Sequence, residues 1–485
     1  MEQDLSLAQR LAHYASGPVT PFHMPGHKRR PLHSPALPWA LDITEIAGFD
    51  DLHDPAGILA ESMERSAALW GSQRAWYLVN GSTGGILAAL HAALPRGSRL
   101  LAARNCHKAF YHALELLDLD PVFLQPPMDS LSGVSGSLSP AEVEAALNIH
   151  PDIRVLFLTS PTYDGVLSDL PTLCSLCHSR GVAVLVDEAH GAHLGFPPFP
   201  PGAVAAGADL VVQSLHKTLP SLTQTAILHW QGSLLDPVRV SRSLGIFETS
   251  SPSYPLMASM DGCVRLLEAE GAPLFQAWKN RLDAFDRAIL PLKHLRVLCH
   301  GRDRLEFHPA FWGFDPSKLL ISTQGTALTG PELMERLRRD FQIELEMAAP
   351  SYATAMTGPG DSPQALERLA DALLAIDGVL SSIPLRRSPP PPPLPERVLP
   401  AGRALELDSR PLPFDETVGE VCAEYLWAYP PGIPLITPGE RVPPVFPLLC
   451  RSFALAGVPL RSTAGNPSGL LQVVRAAPAA LPPQG

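Results

Sequence analysis

Apolar and polar positions change rhythm repeatedly along the chain, and those changes mark out elements before any chemistry is considered. Short runs rich in Val, Leu and Ala predict buried strands over Ala75–Val79, Arg99–Ala102, Arg154–Leu158, Val182–Val186 and Ala208–Gln213. Apolar residues at helical spacing predict helices over 2–16, 58–70, 86–94 and 170–180, the last followed by Gly181 as a C-terminal cap. Strands and helices alternating at this length imply an α/β fold, a mostly parallel sheet covered by helices on both faces. A helical pattern over Met257–Glu270 leads out of this large part. Short strands at Arg304–Phe307 and Lys318–Ser322, set among helices, then predict a smaller α/β domain. The division is an N-terminal arm (1–45), a large domain (46–270), a small α/β domain (271–385), a proline-rich linker (386–400) and a C-terminal α+β segment (401–485). The linker run Arg387-Ser-Pro-Pro-Pro-Pro-Pro393 is stiff and extended, and the end after about residue 462 is expected to be loose.

Composition narrows the class. A chain of 485 residues with 46% hydrophobic and 18% charged residues fits a compact enzyme and argues against disorder over most of its length. A formal net charge of −11 argues against a nucleic-acid backbone as partner. No apolar stretch reaches membrane-spanning length, so no membrane partner is expected. Seven cysteines lack framework spacing, and no signal peptide is recognisable, which points to a reducing, cytoplasmic setting. Cys174 and Cys177 form a C-x-x-C with no second pair to complete a zinc site; it reads as two core thiols, with a redox pair as the alternative.

The polar clusters fall at the C-terminal ends of the predicted strands, where open α/β sheets bind ligands. Asn80-Gly-Ser-Thr-Gly-Gly85 joins a strand to a helix N-terminus and suits an anion, though a plain turn has the same composition. Arg104-Asn-Cys-His107-Lys108 stands at another junction, with a structural histidine as the plainer account. Asp187-Glu-Ala-His190-Gly-Ala-His193 ends the most β-prone run, where Asp187 would also serve as a cap. Ser214-Leu-His216-Lys217 follows the next strand. A lysine there, beside hydroxyls and an imidazole, suits a Schiff-base nucleophile with phosphate-binding neighbours; a solvated loop lysine is the alternative. His190 and His193, at i and i+3 beside Glu188, would allow a metal, but no third ligand with convincing spacing accompanies them. The loop Pro21-Phe-His-Met-Pro-Gly-His27-Lys28 is dense in imidazole and cation.

In order along the chain, PFHMPGHK, DDLHDPAG, LVNGSTGG, RNCHK, VLVDEAHGAH, QSLHKTLPSLTQ, SSPSY and YPPGIPLITPGE resemble the ornithine/lysine/arginine decarboxylase family in its shorter bacterial form. The resemblance implies the fold type I, aspartate aminotransferase-like architecture and pyridoxal 5′-phosphate as cofactor. It implies Lys217 as the Schiff-base lysine and Asp187 as the carboxylate on the pyridinium nitrogen. Gly81, Ser82, Thr83, Ser214 and His216 are then the phosphate cradle, and His107 is the imidazole stacked on the ring. His190 lies near the cofactor's phenolic oxygen or the substrate. The implied reaction is α-decarboxylation of a basic amino acid, arginine favoured over lysine and ornithine, with His27, Glu424 and Glu440 as substrate-side candidates and no metal. Fold type I sites form at a dimer interface, so a homodimer or higher homo-oligomer is implied, with the loops around His27 and Ser251–Tyr254 reaching the neighbouring subunit. Ala109, Arg29-Arg30 and the polyproline run depart from the family pattern without removing a catalytic group. An aminotransferase or aldolase of the same fold, a non-catalytic regulatory homologue and a metal hydrolase are the competing readings.

Overall fold

The computed structural model describes residues 5–17, 38–385, 391, 393–428, 433–455, 457–465 and 469–475. His27 and its loop lie outside the described residues, as do 386–390 and 392 of the proline run. In chain order the first elements are α1 Leu7–Ser16, α2 Ile58–Trp70, β1 Arg74–Leu78, α3 Gly81–Ala93, β2 Arg99–Ala103, α4 Lys108–Leu117, β3 Asp120–Leu124 and α5 Pro140–Ile149. They continue as β4 Val155–Thr159, β5 Val166–Leu167, α6 Leu170–His178, β6 Ala183–Asp187, β7 Leu210–Ser214, α7 Leu215–Thr218, β8 Ala226–Trp230, α8 Pro237–Phe247 and α9 Tyr254–Ala288. The chain divides into two compact units, one of Met1–Leu94, Leu170–Asn280 and Gly358–Gly360, the other of Pro95–Asp169, Arg281–Thr357 and Asp361–Gly485.

In the first unit the strands run in the order β1-β8-β7-β6. β6 and β7 are parallel, with Asp187 opposite Val212, and both are buried along their whole length. Burial on both faces is why these strands read as continuous Val/Leu runs rather than alternating ones. β8 runs antiparallel to both its neighbours. α1 begins at a capping box between Ser6 and Gln9, and the buried Asp261 carboxylate accepts the Leu7 N–H at 2.9 Å and the Ser62 hydroxyl at 2.7 Å. A second carboxylate anchors α2: Asp50 accepts from the N–H groups of Gly57 (2.8 Å) and Leu59 (2.9 Å).

In the second unit β2 pairs in parallel with β3 and β4. A separate antiparallel sheet takes Lys318–Ser322 and Tyr352–Met356 at its centre. Its core gathers Val134, Val166, Leu298, Phe311, Phe314, Leu320, Met347 and Tyr352. Further along, Leu426–Ala428 pairs on one side with Ile433–Ile436 and on the other with Leu460–Ser462.

Four expectations are corrected. The Gly-rich turn is not a loop ahead of a helix at residue 86; it is the first turn of α3, which starts at Gly81. Arg304–Phe307 is no strand: Leu305–Phe307 is a 3-10 turn, and Leu305 and Phe307 are 39% and 48% exposed, so the alternation has no face to bury. The helix expected to end at Glu270 runs to Ala288 through Pro273, carried by the buried Phe275, Trp278, Leu282 and Phe285. The end of the chain is not loose throughout: Leu470–Val474 is a strand paired with Ser409–Pro413, burying Leu471 and Val473.

Candidate active site around Lys217

Parallel strands β6 and β7 end side by side, and the turns beyond them carry the chemistry. Ser214 is the N-cap of the four-residue helix α7, which holds His216 and Lys217 in its single turn. The Lys217 Nζ lies 3.0 Å from Nε2 of His190, a buried residue just past β6. Asp187, the last residue of β6, is 3% exposed and accepts a hydrogen bond from the Ala189 N–H at 3.1 Å. Burial raises its carboxyl above the ordinary range, while the Lys217 charge and the Ala189 N–H pull the other way. His216 Nδ1 lies 2.9 Å from the Thr225 carbonyl oxygen. Burial lowers its basicity, as does the Lys217 charge, against the opposing pull of that carbonyl. The Ser214 and Thr218 hydroxyl oxygens are buried and have no hydrogen-bond partner among the described residues.

The Gly-rich turn reaches the same strand ends through Gln224 and Thr225. The Gln224 side-chain amide donates to the Val79 carbonyl, and Thr225 accepts from the Leu215 N–H at 3.1 Å. Gly81 has φ +71°, a conformation that favours glycine. A Cβ on Gly85 would stand 2.5 Å from Leu78 Cδ1 and 3.1 Å from Val212 Cγ1, so α3 lies against β1 and β7 only because that position is bare. Ser82 is half-buried and Thr83 exposed, in the first turn of α3, where backbone N–H groups lack intrahelical partners. Glu248, which sequence reasoning missed, accepts from the Val79 N–H at 2.9 Å and the Asn80 N–H at 2.8 Å. Burial pushes its carboxyl up to about 7. Nothing in the local sequence around Phe247-Glu-Thr249 signals this role, because its partners are 168 and 169 residues away.

The remaining candidates divide. His107 belongs to the second unit, where it is the N-cap of α4 and its Nδ1 accepts from the Ala109 N–H at 3.3 Å. Glu440, in the same unit, is 2% exposed and grips the buried Arg104 in two contacts of 2.9 Å, while its backbone neighbour Thr437 donates to it at 2.8 Å. Glu424 is 1% exposed and accepts from the Ser462 hydroxyl, the Ala464 N–H at 3.3 Å and the Gln472 N–H at 2.5 Å. The alternative metal set does not converge. Glu188 takes the Ala203 N–H at 2.7 Å and the Gln213 amide at 2.8 Å, His190 faces Lys217, and His193 lies among Phe199 and Trp278. Cys174 and Cys177 are free, buried thiols pushed up to about 12 by burial, which leaves them protonated and inert. Tyr254 of the SSPSY stretch donates to the Asp50 carbonyl at 2.6 Å, and His53 Nε2 lies 2.8 Å from the Thr249 carbonyl, so two of the quoted motifs are tied together within this chain.

An amine, a buried carboxylate, two buried hydroxyls and a bare-glycine helix start fit a phosphate-bearing pyridine aldehyde. The amine suits the aldehyde, the carboxylate a ring nitrogen, and the Ser214 hydroxyl with the α3 amides a phosphate. Among the described residues, no helix is long and apolar enough to cross a membrane.

Comparison with known proteins agrees. A family described as "Orn/Lys/Arg decarboxylase, major domain" matches residues 6–331, and its C-terminal domain matches residues 402–449. The chain is similar to an arginine decarboxylase of Halalkalibacterium halodurans, 32% identical over 476 residues and 96% of each chain. It is also similar to an arginine decarboxylase of Bacillus subtilis, 33% identical over 91% of this chain and 92% of the relative. Among solved structures, the constitutive lysine decarboxylase of Escherichia coli shares the fold with a TM-score of 0.79 at 19% identity, over 97% of this chain and 82% of that one. With the family's major domain matched over residues 6–331 and its C-terminal domain over 402–449, the chain belongs to the Orn/Lys/Arg decarboxylase family and is a pyridoxal 5′-phosphate-dependent amino-acid decarboxylase.

Proposed function

We propose that the chain removes the α-carboxyl group of arginine as CO2, with Lys217 as the residue that holds the cofactor. The observation that carries this reading is the 3.0 Å contact of Lys217 with His190, beside the buried carboxylate of Asp187 at the end of the neighbouring strand. When bound, pyridoxal 5′-phosphate supplies an electron sink for the pair left at Cα as CO2 departs. Asp187 would hold the ring nitrogen protonated, and that cation would stabilise a carboxylate charge that burial disfavours. Ser214, His216 and the Gly81-Ser82-Thr83 turn would hold the phosphate. His107 stays the candidate that the family resemblance implies for the imidazole against the ring. Lys217 or His190, 3.0 Å apart, would return the proton to Cα.

Arginine is favoured because relatives named arginine decarboxylase match over more than nine-tenths of the chain. Glu440 is assigned to holding Arg104; Glu424 and His27 stay as candidates for the substrate's cationic end. The same reading includes the division at 45, 270, 385 and 400, a homodimer or higher homo-oligomer, a cytoplasmic location, and a product that is a polyamine precursor. Free cysteines throughout agree with a reducing compartment. The test is release of CO2 from arginine, lysine and ornithine supplied separately to cofactor-loaded protein. Arginine is expected to give the highest kcat/KM. Transamination without CO2 from any of the three would sink the proposal.

A further inference from the structure

The second unit carries a pocket of about 320 Å³ built from one short stretch of chain, with Lys293, Arg296 and Arg302 among its lining residues. None of these three cations forms an ion pair with a described residue. The stretch is held in place from behind. The buried Asp377 carboxylate accepts from the N–H groups of Lys293 (2.8 Å), His294 (2.8 Å) and Leu295 (2.7 Å), and Arg296–Val297 pairs with Ile321 and Ser322.

His300 also lines the pocket. It is 4% exposed, its Nδ1 lies 2.7 Å from Asp286 Oδ1, and its Nε2 is buried without a hydrogen-bond partner. A buried ring nitrogen left this way is uncommon and points to something that is to be bound. The pocket's one carboxylate, Asp303, is engaged elsewhere, by His308 Nε2 at 2.6 Å and the Cys299 N–H at 3.0 Å. Burial works against a charge on His308, but Asp129 and Asp303 raise it to about 9, so the ring is cationic and offsets Asp303. With both its nitrogens on carboxylates, His308 is also not free to ligate a metal with Cys299 and Asp303. Leu292 and Leu295 add apolar lining, and the Phe307 ring is half exposed beside them.

We propose that this pocket binds a small polyanion, phosphate or carboxylate groups on a compact body, as a ligand distinct from substrate and cofactor. Two guanidinium forks and an ammonium match such groups, and the volume is that of a small-molecule site. The experiment uses protein saturated with pyridoxal 5′-phosphate, so that the cofactor's own phosphate site is filled. Pyrophosphate and citrate are titrated separately by calorimetry into the wild type, an Arg296→Gln/Arg302→Gln variant and a His300→Asn variant. At least one probe is expected to bind the wild type, about tenfold or more weaker to the double arginine variant, and weaker to His300→Asn. Both variants, remote from Lys217 in sequence and outside the proposed catalytic set, leave decarboxylation without anion unchanged. Which probe binds decides between phosphate and carboxylate. Binding of neither, or equal binding to wild type and the double variant, overturns the proposal.

Discussion

Lys217 Nζ and His190 Nε2 lie 3.0 Å apart, delivered by the ends of two adjacent parallel strands, β7 and β6. Two cations at that distance would repel, so the contact favours an imidazole that is neutral when the Lys217 amine is charged. Replacing His190 with Gln keeps a hydrogen-bond acceptor but removes the imidazole proposed to exchange a proton with Lys217. The expected result is a kcat lower by roughly 10²-fold with cofactor content unchanged. An unchanged kcat would leave His190 as packing only.

Gly85 is where α3 touches β1 and β7, and an added Cβ meets Leu78 Cδ1 at 2.5 Å and Val212 Cγ1 at 3.1 Å. Gly85→Ala is expected to cost about 1–3 kcal/mol in urea unfolding and to loosen cofactor retention by shifting the helix start. Wild-type stability in this variant would mean that α3 yields more readily than the contact distances allow.

Glu248 gives a pH dependence with a definite sign. Its carboxyl is pushed from an ordinary 4.5 up to about 7 by burial. Between those values the native protein keeps the proton and the unfolded chain does not, so unfolding releases it and stability falls as pH rises. The slope from this group is at most about 1.4 kcal/mol per pH unit. Glu248→Gln removes that slope, so the variant gains on the wild type from pH 5 to pH 7 in urea midpoints. Parallel profiles for the two proteins would contradict the assignment.

Arg104 and Glu440 are both buried and doubly bonded, 336 residues apart in the chain. Glu440→Gln leaves a guanidinium buried with no opposing charge, at an expected cost of about 3–5 kcal/mol. A substrate-binding role would appear instead as a raised KM with the unfolding midpoint unmoved.

The parts legible in the sequence are those whose cause is local. Lys217, Asp187 and His190 follow Val/Leu runs, and the ends of such runs are where an α/β sheet exposes polar groups. Glu248 and the Arg104–Glu440 pair were not legible, because a carboxylate's partner across the fold leaves no mark on its neighbours in sequence. The start of α3 was misread for a related reason. Gly-Ser-Thr-Gly-Gly is a poor helix former by propensity, but Glu248 fixes the preceding amides and bare glycines let the helix close on the sheet. The helix runs past the expected end at Glu270, and through Pro273, because α9 is held by the buried Phe275 and Trp278 rather than by local preference.

Covalent trapping of the cofactor on Lys217 is the decisive measurement. Protein loaded with pyridoxal 5′-phosphate is reduced with borohydride, digested and mapped by mass spectrometry. The cofactor's added mass is expected on the peptide containing Lys217 and nowhere else, with none in a Lys217→Ala variant that still folds. The added mass on another lysine, or an undiminished amount in Lys217→Ala, would contradict Lys217 as the residue that holds the cofactor.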